Sequence, residues 1–108
     1  MTAKVVEKRA RELFDSGFRC AESVLLAVAE HAGIQSPLIP KISTGFCGGM
    51  SRSKGVCGAV TGGVMALGTI LGRTSADMPV DDIYGKVQEF LYAFEYQYGS
   101  NTNSLFKL

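Results

Sequence analysis

Three side chains of this sequence can carry thiol chemistry: Cys20, Cys47 and Cys57. A thiolate is the reactive form of cysteine, and it is favoured by the positive end of a helix and by adjacent cations. Cys20 falls at the expected start of a helix with Arg19 beside it. Cys57 falls at the expected start of another, preceded by Arg52 and Lys54. Cys47 lies between them in Gly45-Phe46-Cys47-Gly48-Gly49-Met50, where a glycine-rich backbone can swing a thiol toward either partner. Two thiols at helix starts and one on a loop can meet at one end of a helical bundle. There they can form a reversible disulfide or ligate a metal. The plainer alternative is that each is an ordinary buried small residue, a common state of free cysteine.

The remaining residue types add little chemistry. His31 is the sole histidine and lies late in the same expected helix as Cys20. Eleven residues of helix separate the two by about 16 Å, too far for one ligand shell, so a surface or half-buried role is expected. Asp77, Asp81 and Asp82 read as caps. Tyr84, Tyr92, Tyr96 and Tyr98 read as core edge or dimer contact. There is no P-loop, dinucleotide fingerprint or nucleophile elbow. Three thiols cannot supply the four ligands of a tetrathiolate zinc or iron–sulfur centre. A thiolate-bound metal or cluster therefore stays open only with outside ligands, and no cofactor within one chain is the expectation.

Positioning those thiols requires helices. The first is expected from Thr2 to Asp15, with Val6, Ala10, Leu13 and Phe14 on one stripe. Glu7 with Arg11, Lys8 with Glu12, and Arg11 with Asp15 would pair on the wet side, and Ser16-Gly17 would end it. A second helix is expected from Cys20 to Gly33, with Ala21, Val24, Leu25, Val28 and Ala32 inward and Glu22 and Glu30 outward. Pro37 and Pro40 bracket a connection with a short helical turn through Leu38 to Thr44. Gly45 to Met50 is expected to be loop, because three glycines in five residues are unfavourable in a helix interior.

The third long helix covers Val56 to Leu71. Gly58 and Gly62, then Gly68 and Gly72, stand four apart and bare one face to backbone, where a neighbouring helix or a ligand can approach closely. Gly48, Gly49, Gly58 and Gly62 are the expected backbone cradle for any bound group. Each interior glycine costs about 1 kcal/mol relative to alanine, so such a helix needs tight packing. The last helix starts after Pro79, with Asp81 and Asp82 in its first turn, and runs to Tyr98. Its expected buried stripe is Ile83, Val87, Phe90, Leu91 and Phe94. Asn101 to Leu108 reads as a tail. The fold class is all-α: four main helices in a compact irregular bundle, with a Gly-rich loop before the central helix.

Residues 1–108 fit one domain, and 46% apolar with 19% charged residues is a globular balance. A net charge of +1 gives no pull toward nucleic acid. The charged N-terminus has no secretory core segment. Gly55 to Gly72 is eighteen residues without a charge, the lower limit for a membrane span. Six of them are glycine and no aromatic belt flanks them, so the stretch reads as a buried helix and not a span. Three cysteines, an odd number, fit a cytoplasmic chain with reduced thiols better than a disulfide framework.

Several segments together carry a family likeness. Cys57-Gly58-Ala59-Val60-Thr61-Gly62, continued by Gly63-Val64-Met65-Ala66-Leu67-Gly68, resembles the CGAxxG signature of the C_GCAxxG_C_C family of putative redox-active proteins. Phe18-Arg19-Cys20-Ala21-Glu22-Ser23-Val24-Leu25 is similar to that family's first-cysteine segment, and Gly45 to Arg52 to its Gly-rich loop. The resemblance spans residues 5 to 100. It implies thiol redox activity, with Cys20 and Cys57 as the first two family cysteines and no defined substrate or cofactor. Two further cysteines are implied after a stretch resembling Tyr98-Gly99-Ser100, where this chain has Asn103 in place of one. Cys47 is a candidate substitute.

Two main functions follow as expectations, with a lesser third. One is a thiol-based redox or electron-transfer accessory protein using Cys20, Cys57 and Cys47, with a redox protein partner. The other is a non-catalytic helical binding or assembly module that keeps the packing without the chemistry. A carrier of a small ligand beside Gly58 and Gly62 is a third. A homodimer is expected, since so small a chain buries little surface alone.

Overall fold

Every described element is helical. The computed structural model describes residues 3–51 and 57–98, and among them there is no strand. Helix α1 is Ala3–Asp15 and α2 is Cys20–Ala32. A 3-10 helix, Lys41–Phe46, leads into α3, a single turn at Cys47–Met50. Helices α4, Gly58–Leu71, and α5, Asp81–Tyr98, complete the order. The expected all-α class and its four main helices are what the structure shows.

Helix ends follow local chemistry. Gly17 and Gly33 take φ of +121° and +72°, which a Cβ would disfavour. At both ends the chain closes as a Schellman turn: Phe18 N–H donates to the Leu13 carbonyl at 3.2 Å, and Ile34 N–H to that of Ala29 at 2.8 Å. Asp81 and Asp82 stand in the first turn of α5.

Three expectations change in detail. Gly45 to Met50 is not plain loop, because Cys47–Met50 makes one α-turn. Ser51 closes it, its N–H donating to the Cys47 carbonyl at 3.0 Å and its hydroxyl to the Gly45 carbonyl at 2.8 Å. The glycine penalty weighs on long helices more than on one turn fixed by such bonds. The ion pairing of α1 is also partly different. Glu7–Arg11 forms at 3.2 Å, but Glu12 is met by Arg9, which also reaches across to Glu30 of α2 at 2.7 Å. Finally, α2 has no single inward stripe. Ala21, Ser23, Leu25, Ala27 and Ala29 are all enclosed, Val24 and Val28 are half-buried, and Ala32 is exposed. Helix α2 has α1 on one side and α4 with the 3-10 segment on the other, so most of its circumference faces protein.

Helix α4 lies between α2 and α5. Its first half is buried through Val60, Gly62, Gly63 and Ala66, while Gly68, Ile70 and Leu71 are exposed. On α5 the expected stripe of Ile83, Val87, Phe90, Leu91 and Phe94 faces the bundle but is only half-buried. No helix of the described residues is long and apolar enough to cross a membrane.

Candidate functional site

The three cysteines arrive from three separate segments. Cys20 is the first residue of α2, after the extended Arg19. Glu22 fixes this start from two directions. It accepts the Arg19 N–H at 3.0 Å through one oxygen and the Thr44 hydroxyl at 2.7 Å through the other, tying the 3-10 segment to the helix. Cys47 opens α3, and Cys57 immediately precedes α4, its carbonyl taking the N–H of Val60 at 2.9 Å and of Thr61 at 3.1 Å.

Gly58 draws the segments together. A Cβ on Gly58 would stand 3.2 Å from the Cys20 Cβ, 3.3 Å from the Ala21 nitrogen and 3.3 Å from the Phe46 carbonyl oxygen. The residue after Cys57 thus touches Cys20 itself and the residue before Cys47. One turn on, a Cβ at Gly62 would lie 2.7 Å from the Ala21 carbonyl oxygen and 2.9 Å from its Cα. The space expected for a ligand beside Gly58 and Gly62 is taken up by the backbone of α2. Gly48 and Gly49 lie in α3, with Gly49 at φ +72°.

All three thiols are free and buried, Cys57 wholly so at 0% exposure and Cys20 and Cys47 at 9% each. Cys47 donates a weak thiol hydrogen bond to the Ser43 carbonyl at 3.7 Å. Burial pushes the Cys20 thiol above its ordinary value, and negative charge on Cys57 and then Cys47 would push it the same way. Its own backbone N–H and Arg19 pull downward without prevailing. The expectation that a helix start makes Cys20 a ready thiolate is therefore corrected. Burial of the sulfur raises the thiol more than its backbone N–H and Arg19 lower it.

The other named residues lie elsewhere. Among the described residues no group of three or more His, Cys, Asp or Glu side chains is arranged to hold a metal ion. His31 is exposed on the last turn of α2, beside Arg9 and Glu12 of α1. Asp77 accepts the Ser75 hydroxyl, which holds its carboxyl below the usual range. Arg52, Lys54 and Asn103 lie outside the described residues.

Sequence reasoning missed three residues around the site. Glu22 was assigned outward, although its position three residues after Arg19 is the acceptor position of a capping box. Ser43 is fully buried and supplies the acceptor for Cys47, which no pattern signals. Ser23, one turn along α2 from Cys20, has a buried hydroxyl without a hydrogen-bond partner.

Fold and site define a class: a small all-α protein in which a glycine-sealed helix seam holds three buried thiols. The chain belongs to the family described as putative redox-active protein (C_GCAxxG_C_C), which matches residues 18–103 and so takes in all three cysteines. Comparison with curated proteins and with solved structures returns no match.

Proposed function

We propose that this chain is a thiol-based redox protein, cycling between three thiols and one thiol with an intramolecular disulfide. The observation that carries the reading is the meeting of three cysteine-bearing segments at Gly58. The family description supports it. Two protein thiols and an external disulfide would give one protein disulfide and two released thiols, so two electrons and two protons leave the protein together. The external disulfide, on a protein or a small molecule, is the electron partner. The free state of all three cysteines fits a reducing cytoplasm. Exposed Tyr84, Tyr92 and Tyr96 on α5 offer a surface for a homodimer.

The test is thiol counting on the purified protein, reduced and then oxidised, with metal analysis on the same sample. Two of the three thiols should disappear on oxidation and return on reduction. Three thiols that stay free and react slowly in a metal-free protein would sink the redox reading. They would favour a helical binding module, a second reading supported by the enclosure of Cys57 and the upward shift at Cys20.

A further inference from the structure

If the protein cycles thiols as proposed, its three cysteines are not equivalent. Cys57 is sealed at 0% exposure, whereas Cys20 and Cys47 each keep 9%. Any external disulfide therefore has its residual access at Cys20 and Cys47 and none at Cys57. The geometry around Gly58 adds an order. Gly58 packs against Cys20 directly, while its contact toward Cys47 is with the backbone of Phe46. Cys20 thus lies between the fully enclosed Cys57 on one chain segment and Cys47, with its residual exposure, on another.

We infer that Cys20 is the shared sulfur of a three-cysteine relay, pairing first with Cys47 at the lip and then with Cys57 inside. The inference rests on the redox reading and assigns its internal path. The Cys47 sulfur attacks the external disulfide, forming a mixed disulfide as the external S–S bond breaks, and the Cys47 proton leaves with the first external thiol. The Cys20 thiol then displaces the second external thiol, which carries away the Cys20 proton, and a Cys20–Cys47 disulfide results. Finally the Cys57 sulfur attacks Cys20, the Cys20–Cys47 bond breaks as the Cys20–Cys57 bond forms, and the Cys57 proton passes to Cys47. That last exchange involves no net oxidation. It moves the disulfide inward and leaves Cys47 free to attack Cys20 again, so that reduction runs back along the same path.

The experiment is disulfide mapping by mass spectrometry after timed exposure of the full chain to glutathione disulfide, with free thiols blocked at each time. In the native sequence, Cys20 should appear in every intramolecular disulfide, with Cys20–Cys47 appearing first and Cys20–Cys57 growing at its expense. The Cys57→Ser variant should stop at Cys20–Cys47. The Cys20→Ser variant should hold glutathione on Cys47 and form no intramolecular disulfide. A Cys47–Cys57 disulfide in the native sequence, or in Cys20→Ser at the native yield, overturns the relay while leaving the redox reading intact. A native protein that forms no reversible disulfide overturns both. If Cys20→Ser unfolds, shown by its circular dichroism, the native map decides alone.

Discussion

The two faces of α4 are packed by opposite means. Toward α2, Gly58 and Gly62 bring backbone against backbone, with Ala21 filling the space where side chains would stand. Toward α5, Gly63 receives the tip of the Phe90 ring, itself set edge-on to Phe94 with centroids 6.3 Å apart. Backbone in a helix cannot retreat without moving the whole element, whereas a half-buried ring can turn. The cysteines lie on the face that cannot give. Burial follows the same division: the α2 residues at this seam are enclosed, but no described residue of α5 is fully buried. The α2–α4 seam beside the thiols is packed backbone on backbone, while the outer helix is packed through side chains.

The sharpest way to break this contrast is Gly62→Ala. The added methyl would stand 2.7 Å from the Ala21 carbonyl oxygen, closer than real carbon atoms approach. Alanine would gain about 1 kcal/mol of helix propensity, but overpacking against fixed backbone costs typically 1–3 kcal/mol or more. A net loss of about 1–2 kcal/mol is expected, read as a fall of roughly 5–10 °C in Tm by thermal unfolding. The same variant should slow disulfide formation, because it pushes Cys20 away from Cys57. Unchanged stability would mean that the seam is not locked.

Gly63→Ala sharpens the contrast from the other side. Its methyl would meet the Phe90 ring at 2.5 Å, an even shorter approach on paper. Phe90 is half-buried, so the ring can shift toward solvent. The expected loss is about 1 kcal/mol or less, with disulfide formation unaffected. A cost equal to that of Gly62→Ala in denaturant titration would show the outer layer to be as rigid as the inner. Gly68 carries the contrast further along the same helix. Nothing lies within 4 Å of a Cβ there and the position is exposed, so Gly68→Ala should stabilise by about 0.5–1 kcal/mol. A loss on the same titration would show that this bare stretch of α4 is covered in the working protein.

Much of this was legible in the sequence, and the rest was hidden for physical reasons. Periodicity and end signals placed the helices, since Gly17, Gly33 and the Asp81–Asp82 pair act locally. The thiol positions at the helix starts of α2 and α4 followed from the same signals. Periodicity identifies an apolar face but not what covers it. It therefore missed that α2 is enclosed on both sides, and it overstated the burial of the α5 stripe. The four-residue spacing of Gly58 and Gly62 announced a close approach without naming Ala21 as its occupant. The upward push on the Cys20 thiol was not legible because the helix start is a local property, whereas the burial that raises it comes from the tertiary packing around the sulfur.

The smallest expected effect falls on the outermost surface. Tyr92 is 74% and Tyr96 95% exposed in the isolated chain, and neither has a ring contact among the described residues. Exposed side chains of this kind usually change stability by less than about 0.5 kcal/mol when replaced. Tyr92→Ser and Tyr96→Ser should therefore leave Tm at low protein concentration where it was, and leave the thiol count after oxidation unchanged. If α5 lies against a second copy, the same substitutions should lower the sedimentation-derived mass at high concentration and remove any rise of Tm with concentration. A large loss of Tm at low concentration would contradict the loose outer layer. It would mean that α5 is held as firmly as the glycine seam, with the difference between the two faces of α4 lying only in what fills them.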